Sequence, residues 1–344
     1  MEPEQITSDW LSGVLGAPVT IMASERIGDG LVGMNIRYAL QVPDGSGLPA
    51  SIIAKLPSPD PTSRATGISL RNYEREVKFY NEIAPTVDVH VAQCFHGEWH
   101  AGTGDFVLLM EDLSPSAQGN QITGCTADMA RRSVLELARL HGPRWGDPTL
   151  ADIEFLERRD ADSAARLQMI WTMFVPGFLG VYSKYLDAEG IALVERFGAR
   201  IPEWIEGRSL PGTVTHGDYR LDNLMFGGEQ GGHPIAVVDW QTPGHGPASG
   251  DVSYFLGAGP WPNVRNEIER GLIAEYLTEL GSYGVVVDEG EFWQQYSRDA
   301  FGGVIMSVVA SQIVGTSDRS EAMFAAMATR HVRHALDLDS ESLI

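Results

Sequence analysis

The stretch Thr215-His216-Gly217-Asp218-Tyr219-Arg220-Leu221-Asp222-Asn223, followed by Val237-Val238-Asp239-Trp240-Gln241, decides how this chain is read. Asp218 stands five residues before Asn223, and Asp239 closes a short apolar run. Phosphoryl transfer from ATP needs that layout. One carboxylate receives or orients the proton of the acceptor hydroxyl, while an amide and a second carboxylate hold Mg2+ against the phosphates. Asp-x-x-x-x-Asn alone arises by chance in many chains. His-Gly before it and a strand ending in Asp soon after make the combination specific.

Each residue of the stretch has a chemical reading and a bland one. Asp218 is the candidate catalytic carboxylate rather than a turn aspartate. Arg220, two residues on, is a cation able to reach a transferring phosphate, with a packing arginine as the alternative. Asn223 and Asp239 offer the hard oxygen atoms that suit Mg2+. His216 reads as a hydrogen-bonding brace for the loop rather than a base. Asp251, in Ser249-Gly250-Asp251-Val252, either caps a helix or anchors the loop backbone from below. Asp222 suggests no role.

Upstream, Ile27-Gly28-Asp29-Gly30-Leu31-Val32-Gly33 places glycines where backbone amides must approach phosphate oxygens without a Cβ in the way. Gly28 and Gly30 are candidate nucleotide contacts, against an ordinary turn. Residues 34–42 alternate apolar and polar, which is the period of a half-buried strand. Pro43-Asp44-Gly45-Ser46-Gly47 turns the chain, and residues 51–56 return it, so 34–56 is predicted to be a hairpin. Lys55 lies inside that second apolar strand, where an unpaired charge is costly; otherwise it snorkels to water from an edge. On a helical wheel of residues 70–84, Tyr73, Val77, Tyr80 and Ile83 form one stripe. Glu76 falls within the stripe, Glu74 at its edge and Glu82 opposite. Glu76 is therefore the expected partner of Lys55, in the pair that kinases use to hold phosphates.

Residues 106–110 read as a buried strand broken by Glu111-Asp112-Leu113-Ser114-Pro115. A helix is expected over 127–140 with Thr126 as its N-cap, and more helices over 150–208. Short strands are expected at 223–226 and 235–238, then helices to about 336, with 300–317 a buried one. The result is an α+β chain: a small β-rich lobe (1–112), a hinge near 110–114 and a larger helical lobe (113–344).

Composition narrows the partners. The formal charge is −21, from 25 basic and 46 acidic residues. Both regions share the excess, with 15 acidic and 7 basic groups in residues 1–112. No basic patch or tail exists, so neither nucleic acid nor an anionic membrane is an expected partner. Cys94 and Cys125 form no Cys-x-x-Cys motif, which fits a reducing cytoplasm. The first residues lack a basic region followed by an apolar run, so no secretory signal is expected.

His216-Gly217-Asp218 through Asn223, with Asp239-Trp240-Gln241 and Gly250-Asp251, resembles the superfamily of aminoglycoside phosphotransferases, choline kinases and ecdysteroid-kinase-like proteins. Lys55 and Glu76-x-x-Phe79-Tyr80 match its ATP lysine and helix glutamate. The likeness runs from about Gly28 to the end. It implies a two-lobed protein-kinase-like fold, with ATP and Mg2+ as cofactors. It further implies Asp218 as the catalytic aspartate, Asn223 and Asp239 as magnesium ligands, and an adenine-binding hinge at 109–113 that includes Met110, Glu111 and Leu113.

Three functions compete. A small-molecule kinase acting on a hydroxylated acceptor fits every motif. A protein kinase does not: eleven residues between Asp239 and Asp251 leave no room for a long activation segment, and no Ala-Pro-Glu follows. A non-catalytic nucleotide-binding module would be expected to lack the lysine, aspartate or asparagine. The acceptor is open. The aromatic density of residues 169–186 reads as core or as the wall of an apolar acceptor pocket, with Trp171, Phe174 and Tyr182 the candidates. A cationic acceptor of the aminoglycoside or choline type would instead want clustered carboxylates. The acidic tail at 337–341 is the nearest candidate, with a frayed, solvated end as the alternative. An uncharged, partly apolar acceptor is favoured.

Overall fold

The computed structural model describes residues 1–28, 32–158, 160–315 and 317–344. After a short helix α1 (Ser8–Leu15), the N-terminal part is one antiparallel sheet of five strands. These are β1 (Thr20–Ile27), β2 (Gly33–Gln41), β3 (Ser51–Pro57), β4 (Cys94–Trp99) and β5 (Phe106–Glu111), in spatial order β1-β2-β3-β5-β4. The expected hairpin is β2–β3, with Met34 opposite Leu56 and Asn35 opposite Lys55. Strand β1 was not legible. It is an edge strand exposed along most of its length, so no alternation marks it.

The two-residue period sorts the faces of the sheet. Ile52, Ala54 and Leu56 join Met34, Ile36, Tyr38 and Leu40 in a core shared with Leu11 of α1. Ile53, Phe106, Leu108 and Met110 face the other way and pack with Tyr73, Val77, Tyr80 and Ile83. Lys55 shares the face of Ile53. Helix α2 (Pro61–Ser69) precedes α3 (Asn72–Lys78), which widens into a π-helical turn over Phe79–Ile83. The expected helix 70–84 thus begins two residues late, because Arg71 sits at φ 58° and breaks the run from α2.

The remainder is mainly helical. β6 (Ala117–Gln118) leads to α4 (Ala127–His141), whose N-cap Thr126 accepts the Met129 amide as expected. There follow α5 (Ala161–Tyr182), α6 (Ala188–Phe197), α7 (Ile201–Glu206), β7 (Gly212–Thr215), β8 (Leu224–Phe226), β9 (Ala236–Val237), β10 (Gly244–Pro247), α8 (Ser249–Ala258), α9 (Pro262–Gly281), α10 (Glu289–Asp299), α11 (Phe301–Ile313) and α12 (Asp318–Asp337). β6, β8 and β9 form one small sheet, and β7 pairs with β10.

The C-terminal tail is neither frayed nor a free acidic cluster. Asp337 is bound by Arg265 and Arg333, Glu341 by Arg196, and the buried Ser340 donates to the Ser297 carbonyl at 2.6 Å. Among the described residues, no helix is long and apolar enough to cross a membrane.

Candidate active site

Strand β7 carries the chain to His216 and then a sharp turn. Gly217 has φ +82°, and a Cβ there would lie 2.4 Å from the Thr242 carbonyl oxygen, so the turn admits only glycine. Two clamps hold it. The Thr242 hydroxyl donates to the His216 carbonyl at 3.0 Å. From the first turn of α8, Asp251 accepts the backbone N–H of His216 at 2.6 Å and of Gly217 at 3.1 Å. Burial works to raise the Asp251 pKa, but the hydrogen bonds from His141 and the loop outweigh it and leave it below the usual value. Asp251 thus serves the loop, the second of its two readings.

His216 is a brace. Its Nδ1 accepts the Asp218 amide at 3.2 Å, so Nε2 carries the proton that is donated to the Val238 carbonyl at 3.1 Å. That carbonyl immediately precedes Asp239. The Val238 amide in turn donates to the Asn223 carbonyl at 3.0 Å. The backbones bearing Asn223 and Asp239 are therefore tied together.

The Asp218 carboxylate is held by three side-chain donors. Arg220 Nε reaches Oδ2 at 3.1 Å and Asn223 Nδ2 reaches the same oxygen at 3.0 Å. The Tyr254 hydroxyl reaches Oδ1 at 2.7 Å. Asn223 Nδ2 also donates to the Asp218 carbonyl at 2.9 Å, so the amide nitrogen is committed to Asp218. Arg220 is largely buried, and its Nη1 donates to Asp222 at 2.7 Å. Burial works to lower its pKa, but Asp218, Tyr254 and Asp222 outweigh that and raise it. Asp222, for which the sequence suggested nothing, is buried and also accepts the Gln121 amide at 2.9 Å.

Lys55 is buried between two carboxylates, with Nζ 2.7 Å from Glu76 Oε1 and 2.8 Å from Asp239 Oδ1. Burial works to lower its pKa, yet Asp239 and Glu76 outweigh it and the net shift is upward, so it stays charged. Burial raises Glu76, and Lys55 only partly offsets this. Asp239 is only partly desolvated, its side chain being 37% exposed; burial works to raise its pKa, but Lys55, helped by Arg220, pulls it below the usual range. Asp239 sits at φ 65°, a conformation rare for a non-glycine residue and most often found where structure imposes it. Gly33, at the start of β2, lies close above: a Cβ there would be 3.4 Å from Lys55 Cε.

The donors Asn223 Oδ1 and Asp239 are chemically fitted to Mg2+. Among the described residues no group of three or more His, Cys, Asp or Glu forms a metal site. The chain's oxygens would thus be supplemented by those of phosphate and water, as is usual for Mg2+.

Other expected site residues are distributed as follows. Gly28 has φ +68° at the end of β1; Gly30 lies outside the described residues. Met110 and Leu113 contribute buried side chains to the core. The amide of Glu111 is already bonded to the Gln93 carbonyl at 2.8 Å. Trp171 and Tyr182 belong to the helical core with Phe178, Phe197 and Trp204, and Phe174 packs against it half-buried. Trp171 also floors an open groove of about 830 Å3, whose lining includes no catalytic-loop residue. A separate cavity of about 210 Å3 does touch the loop: Gly217, Thr242 and Tyr254 line it together with Trp204, Arg208 and Met306. Tyr254 was missed at sequence level. The signal was its place three residues after Asp251, one turn along the same helix face.

Comparison with known proteins bears on the family and the fold. The model of the phosphotransferase enzyme family matches residues 38–284. No curated protein sequence matches the chain. A choline kinase of Cryptosporidium parvum superposes with a TM-score of 0.59 at 10% identity, over 94% of this chain and 91% of that one. A Plasmodium vivax ethanolamine kinase gives 0.57 at 11%, over 94% and 85%. A Ralstonia eutropha protein classed as an aminoglycoside phosphotransferase gives 0.55 at 17%, over 96% and 97%. At these identities the likeness is one of fold, and it covers both the sheet and the helical part. With almost three quarters of its length matched by the family model, this chain belongs to the phosphotransferase enzyme family and is a small-molecule kinase.

Proposed function

We propose that the protein transfers the γ-phosphate of ATP, with Mg2+, to a hydroxyl of a small, uncharged, partly apolar metabolite. The observation that carries this reading is the buried Lys55 cation, held at 2.7 and 2.8 Å by Glu76 and Asp239. A charge kept that far from water costs free energy unless its partners compensate it. A lysine positioned there, under Gly33 and beside Asp239, is suited to phosphate oxygens. Asp218 is the base that receives or orients the acceptor proton, and Arg220 and Asn223 hold it. Mg2+, when bound, would neutralise phosphate charge at Asn223 and Asp239. Residues 109–113 are the hinge against which the adenine lies, between an N-lobe at 1–112 and a C-lobe at 113–344. A solved aminoglycoside phosphotransferase of this fold binds GDP and kanamycin, so GTP is the competing donor.

The acceptor reading is supported by the cavity at Tyr254. Its three lining carboxylates all have partners: Glu157 is paired with Arg75 at 3.0 Å, Asp251 with the loop, and Asp299 with the Ser249 hydroxyl at 2.6 Å. The Arg208 guanidinium lies 4.8 Å over the Trp204 ring, and Trp204, Tyr254 and Met306 add apolar surface. This lining suits an uncharged hydroxylated compound better than a polycation. The test measures nucleoside diphosphate release across panels of neutral alcohols, sugars, choline-type amines and aminoglycosides. Asp218→Asn serves as control. It should retain nucleotide binding and lose transfer by ~10²–10⁴-fold. Turnover confined to the cationic panel would overturn the acceptor reading. An Asp218→Asn variant with more than roughly a tenth of wild-type turnover would overturn the base.

A further inference from the structure

The hydrogen bonds around Asp218 leave little of its carboxylate open. An ionised carboxylate offers about four lone-pair sites on its two oxygens. Oδ2 is filled by Arg220 Nε and Asn223 Nδ2. On Oδ1 one site is filled by the Tyr254 hydroxyl at 2.7 Å. One site, on Oδ1, remains.

Tyr254 is built to stay where it is. It is only 6% exposed and stacks on His331 of α12, with ring centroids 5.1 Å apart and planes 18° apart. His331 is seated on two glycines. A Cβ at Gly257 would come within 2.6 Å of its ring, and one at Gly303 closer still. The tyrosine ring is thus fixed between α8 and α12, with its oxygen against Asp218 and its side against the cavity.

We infer that Tyr254 is a positioning residue for the phosphoryl transfer, one that designates Asp218 Oδ1 as the proton-receiving oxygen and leaves it a single open lobe for the acceptor hydroxyl. This rests on the assignment of Asp218 as the base. In the productive step the acceptor oxygen forms a bond to the γ-phosphorus as the bond to the β,γ-bridging oxygen breaks. The electron pair departs with the nucleoside diphosphate, and the acceptor proton passes to Oδ1. Water can take the same path, giving inorganic phosphate. With one lobe open, a bound acceptor displaces water from the base. Without the tyrosine hydroxyl a second lobe opens and Oδ1 loses a donor that competes for its charge, so water is held more readily by the base whether or not acceptor is bound.

The test uses water itself as the probe. Tyr254→Phe keeps the ring on His331 and removes only the hydroxyl. Acceptor-independent hydrolysis of Mg2+–nucleoside triphosphate is measured for wild type, Tyr254→Phe and Asp218→Asn. Each rate is normalised to nucleotide sites titrated by calorimetry, so a partly unfolded preparation is still informative. Tyr254→Phe should hydrolyse about three- to ten-fold faster than wild type, with nucleotide affinity unchanged within two-fold. A merely structural tyrosine would lower hydrolysis and nucleotide binding together. An unchanged or lower hydrolysis rate in Tyr254→Phe, with Asp218→Asn still impaired, overturns the role of Tyr254 alone. Equal rates in wild type and Asp218→Asn overturn the base assignment and this inference with it.

Discussion

The rings of Phe79 and Trp240 lie face to face, with centroids 3.7 Å apart and planes 5° apart. Phe79 opens the π-turn at the end of α3, and Trp240 directly follows Asp239. The stack therefore joins the helix bearing Glu76 to the neighbour of Asp239, the second carboxylate on Lys55. His216 extends it, with its ring 4.5 Å from Trp240. At the other end of α3, Asn72 Nδ2 donates to the Gln241 carbonyl at 3.2 Å. Helix α3 is thus tied to the segment 239–241 at both ends directly and at Glu76 through Lys55.

Removing that stack should be costly. Trp240 is fully buried, so Trp240→Ala is expected to lower stability by about 3–5 kcal/mol, as for other truncated core aromatics. Trp240→Phe keeps a ring against Phe79 and should recover most of the loss. Denaturant unfolding of the three proteins checks this. Equal stability of the alanine and phenylalanine variants would show that the ring contact contributes nothing.

Lys55 and Glu76 should behave as a unit. Lys55→Met removes the cation shared by two carboxylates, so adding Glu76→Gln should cost little beyond the first change. A double-mutant cycle on nucleotide affinity should return a coupling of about 0.5–3 kcal/mol. Additive losses would dissociate the pair functionally despite its 2.7 Å contact.

Asn223→Ala and Asp239→Ala should each weaken Mg2+–nucleotide binding by at least about ten-fold more than metal-free nucleotide binding, since both are read as oxygen ligands. Calorimetry with and without Mg2+ separates the two terms. Equal losses in both conditions would make the residues structural. Asp239→Ala also strips Lys55 of one partner, so some metal-independent loss is expected there and not for Asn223→Ala.

Glu74 provides a pH-dependent contribution of known sign. Its hydrogen bond from Arg71, with further help from Lys78, outweighs burial and lowers its pKa from 4.5 to about 2. A carboxylate depressed on folding stabilises the protein above its unfolded pKa, and the contribution is lost as pH falls through the folded value. Stability between pH 4.5 and 2 should therefore fall less steeply in Glu74→Gln than in wild type. The difference should be on the order of 1–3 kcal/mol at neutral pH. Thermal melts across that range measure it, and identical slopes would exclude the effect.

Much of the site was legible because its residues are close in sequence or fall on one periodic face. Asp218 and Asn223 share a nine-residue motif, and the wheel of 70–84 placed Glu76 in the buried stripe where Lys55 meets it. The wheel also put Glu74 at the stripe's edge; it is in fact buried, its charge met locally by Arg71 and Lys78. Contacts between distant segments were not legible. Gln121 caps Asp222 across about a hundred residues, and Tyr254 meets Asp218 only because Asp251 draws α8 beneath the loop. The aromatic run at 169–186 shows the converse failure, since composition does not say which face of a long helix meets core. Trp171 and Tyr182 do so, whereas Met169 and Met173 on the same helix are exposed. The tail at 337–341 looked solvated because, apart from Arg333 one turn before Asp337, the arginines that bind its carboxylates, Arg265 and Arg196, lie 72 and 145 residues earlier.

The glycine seats under His331 have a mechanical consequence. With no side chain at Gly257 or Gly303, α8, α11 and α12 can close around the His331 ring, and little slack remains between α12 and the helix that carries Asp251 and Tyr254. One element thus sets both the backbone of the 216–218 loop and the orientation of the Asp218 carboxylate. A displacement of α12 would be transmitted to Asp218 as a rotation rather than absorbed as a gap. Helix α12, remote in sequence from every motif that suggests the chemistry, is in effect the mounting on which the Asp218 carboxylate is aimed.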